Sequence, residues 1–261
     1  MTCVEVAMGE VCWLTLNRPR VGNAIDQEMI LALDYGLDQA LAPTRGVRCI
    51  VVTGAGDNFC SGIDLRSMKT PRPDESRYQR LMSRSYFDHV IERLVNLRIP
   101  VITAVNGVAA GAGMTLALTG DVIVMEESAH LTPSFVKLGL VPDCGITSLL
   151  SDRIGNSRVR AALMLGEPID AKSAVAWGLA HDMVPPENLR SRSAHYASRL
   201  AAGPPCVLGE TRKLLNRFCS AEFGKHLEAE RAAHRAALKE CEHTEGIAAF
   251  LEHRTPNFKS R

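Results

Sequence analysis

The sequence has no block of like charge and no long hydrophobic run. Lysine and arginine total 30, aspartate and glutamate total 29, and the formal net charge is +1 at pH 7. Proteins that bind nucleic acid usually present a basic stripe to the phosphates, so we do not expect nucleic-acid binding. No segment approaches the roughly 20 consecutive apolar residues that span a bilayer, so we do not expect a membrane protein either.

The cysteines form neither a metal-binding pattern nor a disulfide framework. No two of them make a CxxC pair, and none has a histidine at zinc-finger spacing. Disulfide frameworks are typical of short secreted chains, and residues 1–10 lack the cationic start and apolar stretch of a signal peptide. We therefore expect a reduced, cytoplasmic protein without a metal site. The eight cysteines are Cys3, Cys12, Cys49, Cys60, Cys144, Cys206, Cys219 and Cys241.

The composition and the first 40 residues are typical of a folded domain. The 261 residues are 46% hydrophobic and 23% charged, which is enough for a sizeable core. Two β-rich runs, 4–8 and 11–16, are joined by a turn at Gly9. Asp26 then precedes an apolar rhythm of helical period, so we expect Asp26 to cap a helix.

The rest of the chain divides into an alternating part and a helical part. Buried-strand runs at 49–53, 101–105 and 122–125 alternate with helical segments, which indicates an α/β core. Residues 66–84 are polar and predict a surface loop. From Ser157 onward the pattern is helical, with separate helices predicted over 205–218 and 221–240.

Three segments stand out: 58–65 (NFCSGIDL), 106–113 (NGVAAGAG) and 135–147 (FVKLGLVPDCGIT). The first two place small residues where a predicted strand ends and a helix or loop begins. Small residues let a ligand approach the main chain, and two N–H groups aimed at one point can stabilise an oxyanion. The alternative is ordinary tight turns with close helix–strand packing. Neither of the first two is a phosphate loop or a dinucleotide fingerprint, because the required lysine or third glycine is missing.

Together these segments resemble the crotonase (enoyl-CoA hydratase/isomerase) family. The resemblance runs through 16–25 (LNRPRVGNAI), 51–65, 99–121, 129–147, 165–185 and 245–258, in the order of the family. It implies an α/β fold in which ββα units form a spiral core, over 1–190, followed by a helical oligomerisation region, over 191–261. It also implies a homotrimer or a dimer of trimers, an acyl-CoA thioester as substrate, and no cofactor beyond the coenzyme A of that substrate.

The resemblance also assigns site residues by position. The oxyanion N–H groups would come from Ser61 and Ala112, where many members have glycine at the second position. Alanine keeps the N–H group and adds one methyl. The substrate would be contacted by the main chain around the first two turns, by Phe135, and by Arg18 or Arg20 at the coenzyme A phosphates. The main-chain residues are Cys60, Gly62, Ile63, Asp64 and Gly111.

The sequence departs from the hydratases of this family at two positions. Those enzymes carry one glutamate on the helix after the second turn and another within the segment that corresponds to 134–138. Here the two positions are Thr115 and Phe135, and neither can act as a carboxylate base. Hydration needs one group to activate water and one to deliver a proton. We therefore do not expect ordinary hydration.

Asp143 is the remaining candidate acid or base. In isomerases that resemble this chain, an acid at this place faces the acyl carbons. Phe135, Leu140 and Val141 are expected to desolvate its carboxylate, and one carboxylate suffices for a 1,3-proton transfer. The alternative role for Asp143 is a cap for the following helix. Asp88 and His89 lie on a helix that supplies a base in some relatives, but we expect them on a solvated helix face.

The sequence thus predicts an acyl-CoA isomerase, with a place in fatty-acid metabolism, that shifts a double bond or rearranges an activated ring while Asp143 shuttles a proton through an enolate. Two alternatives stay open. One is an atypical hydratase that uses Asp143 and a bound water. The other is a non-catalytic homologue that binds acyl-CoA. We expect His226 and His234, on the charged C-terminal helix, to be surface residues.

Overall fold

A computed structural model of the protein describes residues 2–66 and 85–258. The larger sheet runs, in spatial order, through β1 (Val4–Ala7), β2 (Val11–Leu16), β3 (Cys49–Gly54), β5 (Val101–Val105), β7 (Val122–Glu126) and β10 (Asp182–Val184). β1 and β2 are antiparallel, whereas the other neighbours are parallel. The predicted hairpin and the strands predicted at 49–53, 101–105 and 122–125 are therefore confirmed.

A second, smaller sheet contains β4 (Asn58–Cys60), β6 (Val108–Ala110), β8 (His130–Thr132) and β9 (Ile169–Asp170). β3, β5 and β7 are each followed directly by a strand of this sheet, namely β4, β6 and β8. This repeated step from one sheet to the other produces a spiral. It also places the ends of β4 and β6 side by side.

The described helices are α1 (Gln27–Leu41), α2 (Ser85–Asn96), α3 (Ala112–Ala117), α4 (Ile146–Leu165), α5 (Ala171–Ala176), α6 (Leu189–Ala202), α7 (Pro205–Ala237) and α8 (Cys241–Leu251). Asp26 caps α1, because its Oδ1 accepts the Met29 N–H at 2.9 Å, as predicted. Of the helices described, none is both long and apolar enough to span a bilayer.

The central strands are buried on both faces, as expected for parallel strands covered by helices. Ile50 and Val52 of β3 lie in the main core, whereas Cys49 and Val51 point to a second core against α6. The turn between β5 and β6 requires glycine. Gly107 has φ +129°, and a methyl group there would overlap the Asp57 carbonyl oxygen.

The C-terminal third is helical, but its helices differ from the prediction. α7 is continuous through the expected break between 218 and 221, where no glycine or proline interrupts the chain. Buried Arg212 of α7 is bound to Asp121 (Nε–Oδ2 2.8 Å) and donates to the carbonyls of Leu94 (2.7 Å) and Val95 (2.9 Å) at the end of α2. The loop predicted over 66–84 lies outside the described residues apart from Arg66, and the division at residue 190 stays a prediction.

Candidate functional site

Two buried asparagines hold the chain that leads into the first glycine-containing turn, within residues 58–65. The second turn is the one within residues 106–113. The Asn23 amide nitrogen donates to the carbonyls of Ala55 (2.9 Å) and Asn58 (2.7 Å). Asn106 accepts the Gly54 N–H (3.0 Å) and donates to the Gly56 carbonyl (2.7 Å). Both amides thus replace the backbone partners that an irregular loop lacks. Sequence reasoning missed both residues, although Asn106 ends a buried strand directly before a glycine.

Ser61 does not offer a free N–H group. Its N–H donates to the Gly22 carbonyl at 2.9 Å, and its hydroxyl donates to the Val21 carbonyl at 3.2 Å. An N–H group bonded within the protein cannot also receive an oxyanion without breaking that bond. This corrects the prediction that Ser61 supplies an oxyanion donor.

The backbone N–H of Ile63, two residues later, points away from the segment that contains Gly22 and Ile25. Its neighbours bridge it to Ile25: the Ile25 N–H donates to the Gly62 carbonyl (2.7 Å), and the Asp64 N–H donates to the Ile25 carbonyl (2.8 Å). In a parallel bridge of this kind, the N–H of the central residue points away from the partner segment. Among the described residues, no backbone carbonyl accepts the Ile63 N–H.

Ala112 begins α3 and presents the second N–H group. Gly111 precedes it with φ +51° and donates its own N–H to the Thr132 carbonyl at 3.0 Å. The first N–H groups of a helix have no acceptor within the helix, and no described carbonyl accepts from Ala112. A methyl group on Gly62 would lie 2.7 Å from the Ala110 oxygen and 3.7 Å from the Ala112 nitrogen. The two turns are therefore adjacent, and glycine at 62 permits this approach.

Arg18 is held within the protein. Its guanidinium donates to the Ala24 carbonyl (2.6 Å) and forms ion pairs with Asp26 (3.0 Å) and Asp64 (3.2 Å). These bonds use the planar donor fork that a phosphate would need. The structure therefore shows that Arg18 fixes Asp64, and its contact with the coenzyme A phosphates stays a prediction. Arg20 is exposed.

The two positions that lack glutamate are both buried. Thr115 is fully buried on α3, and its hydroxyl has no hydrogen-bond partner among the described residues. Phe135 is 5% exposed and belongs to the main core. Neither position brings a carboxylate to the turns, so these side chains cannot perform acid–base chemistry on a substrate held there.

Asp143 is buried, at 6% exposure, and its carboxylate faces polar side chains of the protein. Its Oδ2 lies 3.4 Å from His234 Nδ1, and its Oδ1 lies 3.4 Å from the Cys144 sulfur. The N-cap position of α4 is Gly145, and the Ile146 N–H donates to the Asp143 backbone carbonyl at 3.4 Å. Glu230 of α7 caps that helix, because its carboxylate accepts the N–H groups of Gly145 (2.6 Å) and Thr147 (3.0 Å). The side-chain cap on these two N–H groups is therefore Glu230 and not Asp143.

Asp88 joins this buried cluster from α2. It is 1% exposed and pairs with Arg231 of α7, so its predicted place on a solvated face is wrong, whereas His89 is exposed. Burial raises the pKa of Asp88, and Arg231 acts in the opposite direction. Burial and the two neighbouring carboxylates, Asp143 and Asp88, raise the pKa of the Cys144 thiol well above its ordinary value.

The remaining predictions concern two histidines of α7 and the expected absence of a metal site. His234 is 2% exposed, so its predicted surface position is wrong, whereas His226 is exposed as predicted. Within residues 2–66 and 85–258, no three histidine, cysteine, aspartate or glutamate side chains converge in a way that could hold a metal ion.

Comparison with known proteins places this geometry in a family. The family model described as enoyl-CoA hydratase/isomerase matches residues 7–261. The chain is 37% identical to the 1,2-epoxyphenylacetyl-CoA isomerase of Escherichia coli over 255 residues, covering 96% of this chain and 95% of that protein. It is 32% identical to the 2,3-dehydroadipyl-CoA hydratase of the same organism, covering 96% of each.

Solved structures give the same result for the fold. The crystal structure of an enoyl-CoA hydratase from Mycobacterium avium subsp. paratuberculosis K-10 superposes with a TM-score of 0.87 at 27% identity, covering 99% of each chain. The predicted crotonase fold is therefore confirmed, with its parallel sheets and C-terminal helices. The chain belongs to the enoyl-CoA hydratase/isomerase family of the crotonase superfamily.

Proposed function

We propose that this protein is an acyl-CoA isomerase in which Asp143 moves a proton between two carbons of the acyl group. The observation that carries the proposal is the set of acids at the site. Asp143 is a buried carboxylate, whereas positions 115 and 135 hold threonine and phenylalanine. The 37% identity to a 1,2-epoxyphenylacetyl-CoA isomerase supports this choice over hydration.

The chemistry balances with a single carboxylate. For a 3-enoyl thioester, the ionised Asp143 removes a proton from C2, and the electron pair moves onto the thioester oxygen to give a dienolate. The protonated Asp143 then returns the proton to C4, and the electrons re-form the carbonyl and a C2–C3 double bond. No water is added, so a second acid or base is not required.

The dienolate oxygen would be held by the N–H groups of Ala112 and Ile63. Both groups lie at adjacent turns and have no backbone acceptor among the described residues, whereas the N–H of Ser61 is bonded to Gly22. Donors fixed before the reaction stabilise the developing charge without reorganising, and loss of one such donor typically slows catalysis by about 100–1,000-fold.

The remaining predicted contacts concern the substrate body. The main chain of Cys60, Gly62, Asp64 and Gly111 would contact the coenzyme A portion. Phe135, which belongs to the main core, would contact the acyl group. The name of the 37% identical relative makes a ring epoxide of phenylacetyl-CoA the first class of substrate to test.

We also propose that the chain assembles as a homotrimer or a dimer of trimers. Val207, Leu214 and Leu215 of α7 are more than half exposed. Leu214 and Leu215 follow Val207 by 7 and 8 residues, so the three side chains form one apolar stripe on the helix. A second copy of the chain would cover that stripe. Sedimentation equilibrium distinguishes three copies from six. The cytoplasmic location and the absence of nucleic-acid binding stay predictions.

The test is proton NMR in deuterated water with purified protein and three thioesters: a 3-enoyl-CoA, a 2-enoyl-CoA and a phenylacetyl-CoA ring epoxide. We expect conjugation of the 3-enoyl compound or rearrangement of the ring compound, without a 3-hydroxy product. Asp143→Asn should abolish turnover and leave coenzyme A binding, measured by calorimetry, nearly unchanged.

Two results would overturn the proposal. A 3-hydroxyacyl product would assign the protein as a hydratase that activates water without the two family glutamates. Binding of acyl-CoA without turnover of any of the three compounds would favour a non-catalytic homologue.

A further inference from the structure

The last long helix presents three polar side chains to the buried region around Asp143. Glu230 accepts the N–H groups at the start of α4, Arg231 pairs with Asp88 of α2, and His234 reaches the segment that carries Asp143. The three residues lie within one and a half turns, and two of them are nearly fully buried. α7 therefore does more than cover the core, because it holds the loop between residues 141 and 147 in place.

The hydrogen bonds of His234 fix where its proton lies. Its Nδ1 is 2.6 Å from the Val141 carbonyl oxygen, and a carbonyl can only accept, so Nδ1 carries a hydrogen. The same Nδ1 is 3.4 Å from Asp143 Oδ2. One N–H group thus faces both the backbone two residues before Asp143 and the carboxylate itself.

The carboxylates around Asp143 give the His234 Nδ1–H group a possible role in holding the Asp143 side chain. Asp88 and Glu230 are buried carboxylates close enough to interact electrostatically with Asp143, and each has its own partner in Arg231 or in the start of α4. Carboxylates that share a buried site repel one another. A donor close to Asp143 offsets this repulsion, and His234 Nδ1 lies 3.4 Å from its Oδ2.

From this geometry we infer that His234 is a positioning residue for Asp143: its Nδ1–H sets the carboxylate at the distance and angle that proton transfer requires. This inference rests on the proposed function, in which Asp143 is the group that moves the proton. His234 acts through Asp143 and is not assigned any contact with substrate.

The test uses the different shapes of asparagine and glutamine. The amide nitrogen of His234→Asn falls near the place of Nδ1 and keeps the donor, whereas that of His234→Gln falls near Nε2 and loses it. We expect His234→Asn to retain kcat within about threefold. We expect His234→Gln to lose about 10- to 100-fold in kcat, because a small misplacement of a reacting group is costly, with KM little changed. His226→Gln, an exposed change on the same helix, is the matched control and should leave kcat unchanged.

Melting temperatures of all variants separate positioning from folding. Both amides place a polar group in the same buried site, so equal losses of kcat that follow their melting temperatures would overturn the inference. Retention of full kcat by His234→Gln would overturn it as well. In the Asp143→Asn background, His234→Gln should cause no further fall in residual activity, and a full additional fall would show that His234 acts independently. If Asp143→Asn itself stays fully active, the proposed function fails first, whatever the His234 variants do.

Discussion

Replacing Arg231 with leucine tests whether the buried charges near Asp143 are balanced as described. The Arg231 Nε pairs with Asp88, whose side chain is 1% exposed, whereas the Arg231 side chain is 24% exposed. Arg231→Leu leaves Asp88 buried without its cation. Removing one partner of a fully buried pair costs about 3–5 kcal/mol, and the partial exposure of Arg231 lowers our expectation to about 2–4 kcal/mol.

The loss should depend on pH in a definite direction. Burial already raises the pKa of Asp88, and Arg231 opposes that effect. A carboxyl whose folded pKa is raised holds its proton in the folded state, so the free energy of unfolding falls as pH rises through the interval above its ordinary pKa. Removing Arg231 extends this interval upward. The destabilisation should therefore be larger at pH 7.5 than at pH 5.

Urea unfolding at both pH values, at one fixed protein concentration, gives the measurement. Arg98→Leu is the matched control, because Arg98 and Glu210 form an exposed pair that should contribute less than about 1 kcal/mol. Asp88→Asn in the Arg231→Leu background should recover most of the loss at pH 7.5, since no charge is then left unpaired. A loss below about 0.5 kcal/mol at both pH values, or no recovery in the double variant, would refute the reasoning.

Three further predictions concern other parts of the chain. Gly107→Ala should lower the free energy of unfolding by about 3 kcal/mol or more, because the new methyl group meets the Asp57 carbonyl at a positive φ, and an unchanged urea midpoint would contradict this. Arg212→Met should cost about 3 kcal/mol in the same assay, because a buried cation that joins α7 to the end of α2 is lost. Hydrogen bonds from Arg254 and the backbone lower the pKa of Glu245 to about 2, so the stability that this carboxylate contributes is present above its ordinary pKa and is lost as pH falls toward 2. Hydrogen exchange over 245–257 should show this loss in the wild type and not in Glu245→Gln.

The elements of the fold could be predicted because their signals are local. Asp26 stands directly before the helix that it caps, and Val101–Val105 is an uninterrupted β-branched and apolar run that ends at Asn106-Gly107. The continuity of α7 was missed because a break was predicted where the sequence has no local signal for one. Residues between 218 and 221 include no glycine or proline, so a break there had no physical cause.

The sequence alone could not decide whether Ser61 or Ile63 supplies the proposed oxyanion donor. In a regular extended chain, N–H groups two residues apart point the same way, so both would have faced one side. Gly62 has φ +91°, which interrupts that alternation and turns the Ile63 N–H away from the segment that binds Ser61. A glycine in the sequence shows that such a turn is permitted but does not show that it occurs.

The burial of the polar residues that hold the site also cannot be predicted from their neighbours in the sequence. Asn23 bonds to carbonyls more than 30 residues away, and nothing next to it marks it as buried. His234 lies among charged and alanine residues, which is typical of a solvated helix face. Only the packing of α7 against the middle of the chain turns that face inward.

The contacts of α7 also determine when, during synthesis of the chain, the loop that carries Asp143 can be fixed in place. Arg231 is 143 residues from Asp88, His234 is 93 from Val141, and Glu230 is 85 from Gly145. Because a ribosome adds about 5–20 residues per second from the N-terminus, the groups that hold the Asp143 loop are made roughly 5–20 s after the loop itself. A nascent chain, or a fragment released before α7, would contain both turns that carry the proposed oxyanion donors and still lack a fixed Asp143. We expect such products to be inactive toward acyl-CoA until the last helices are added.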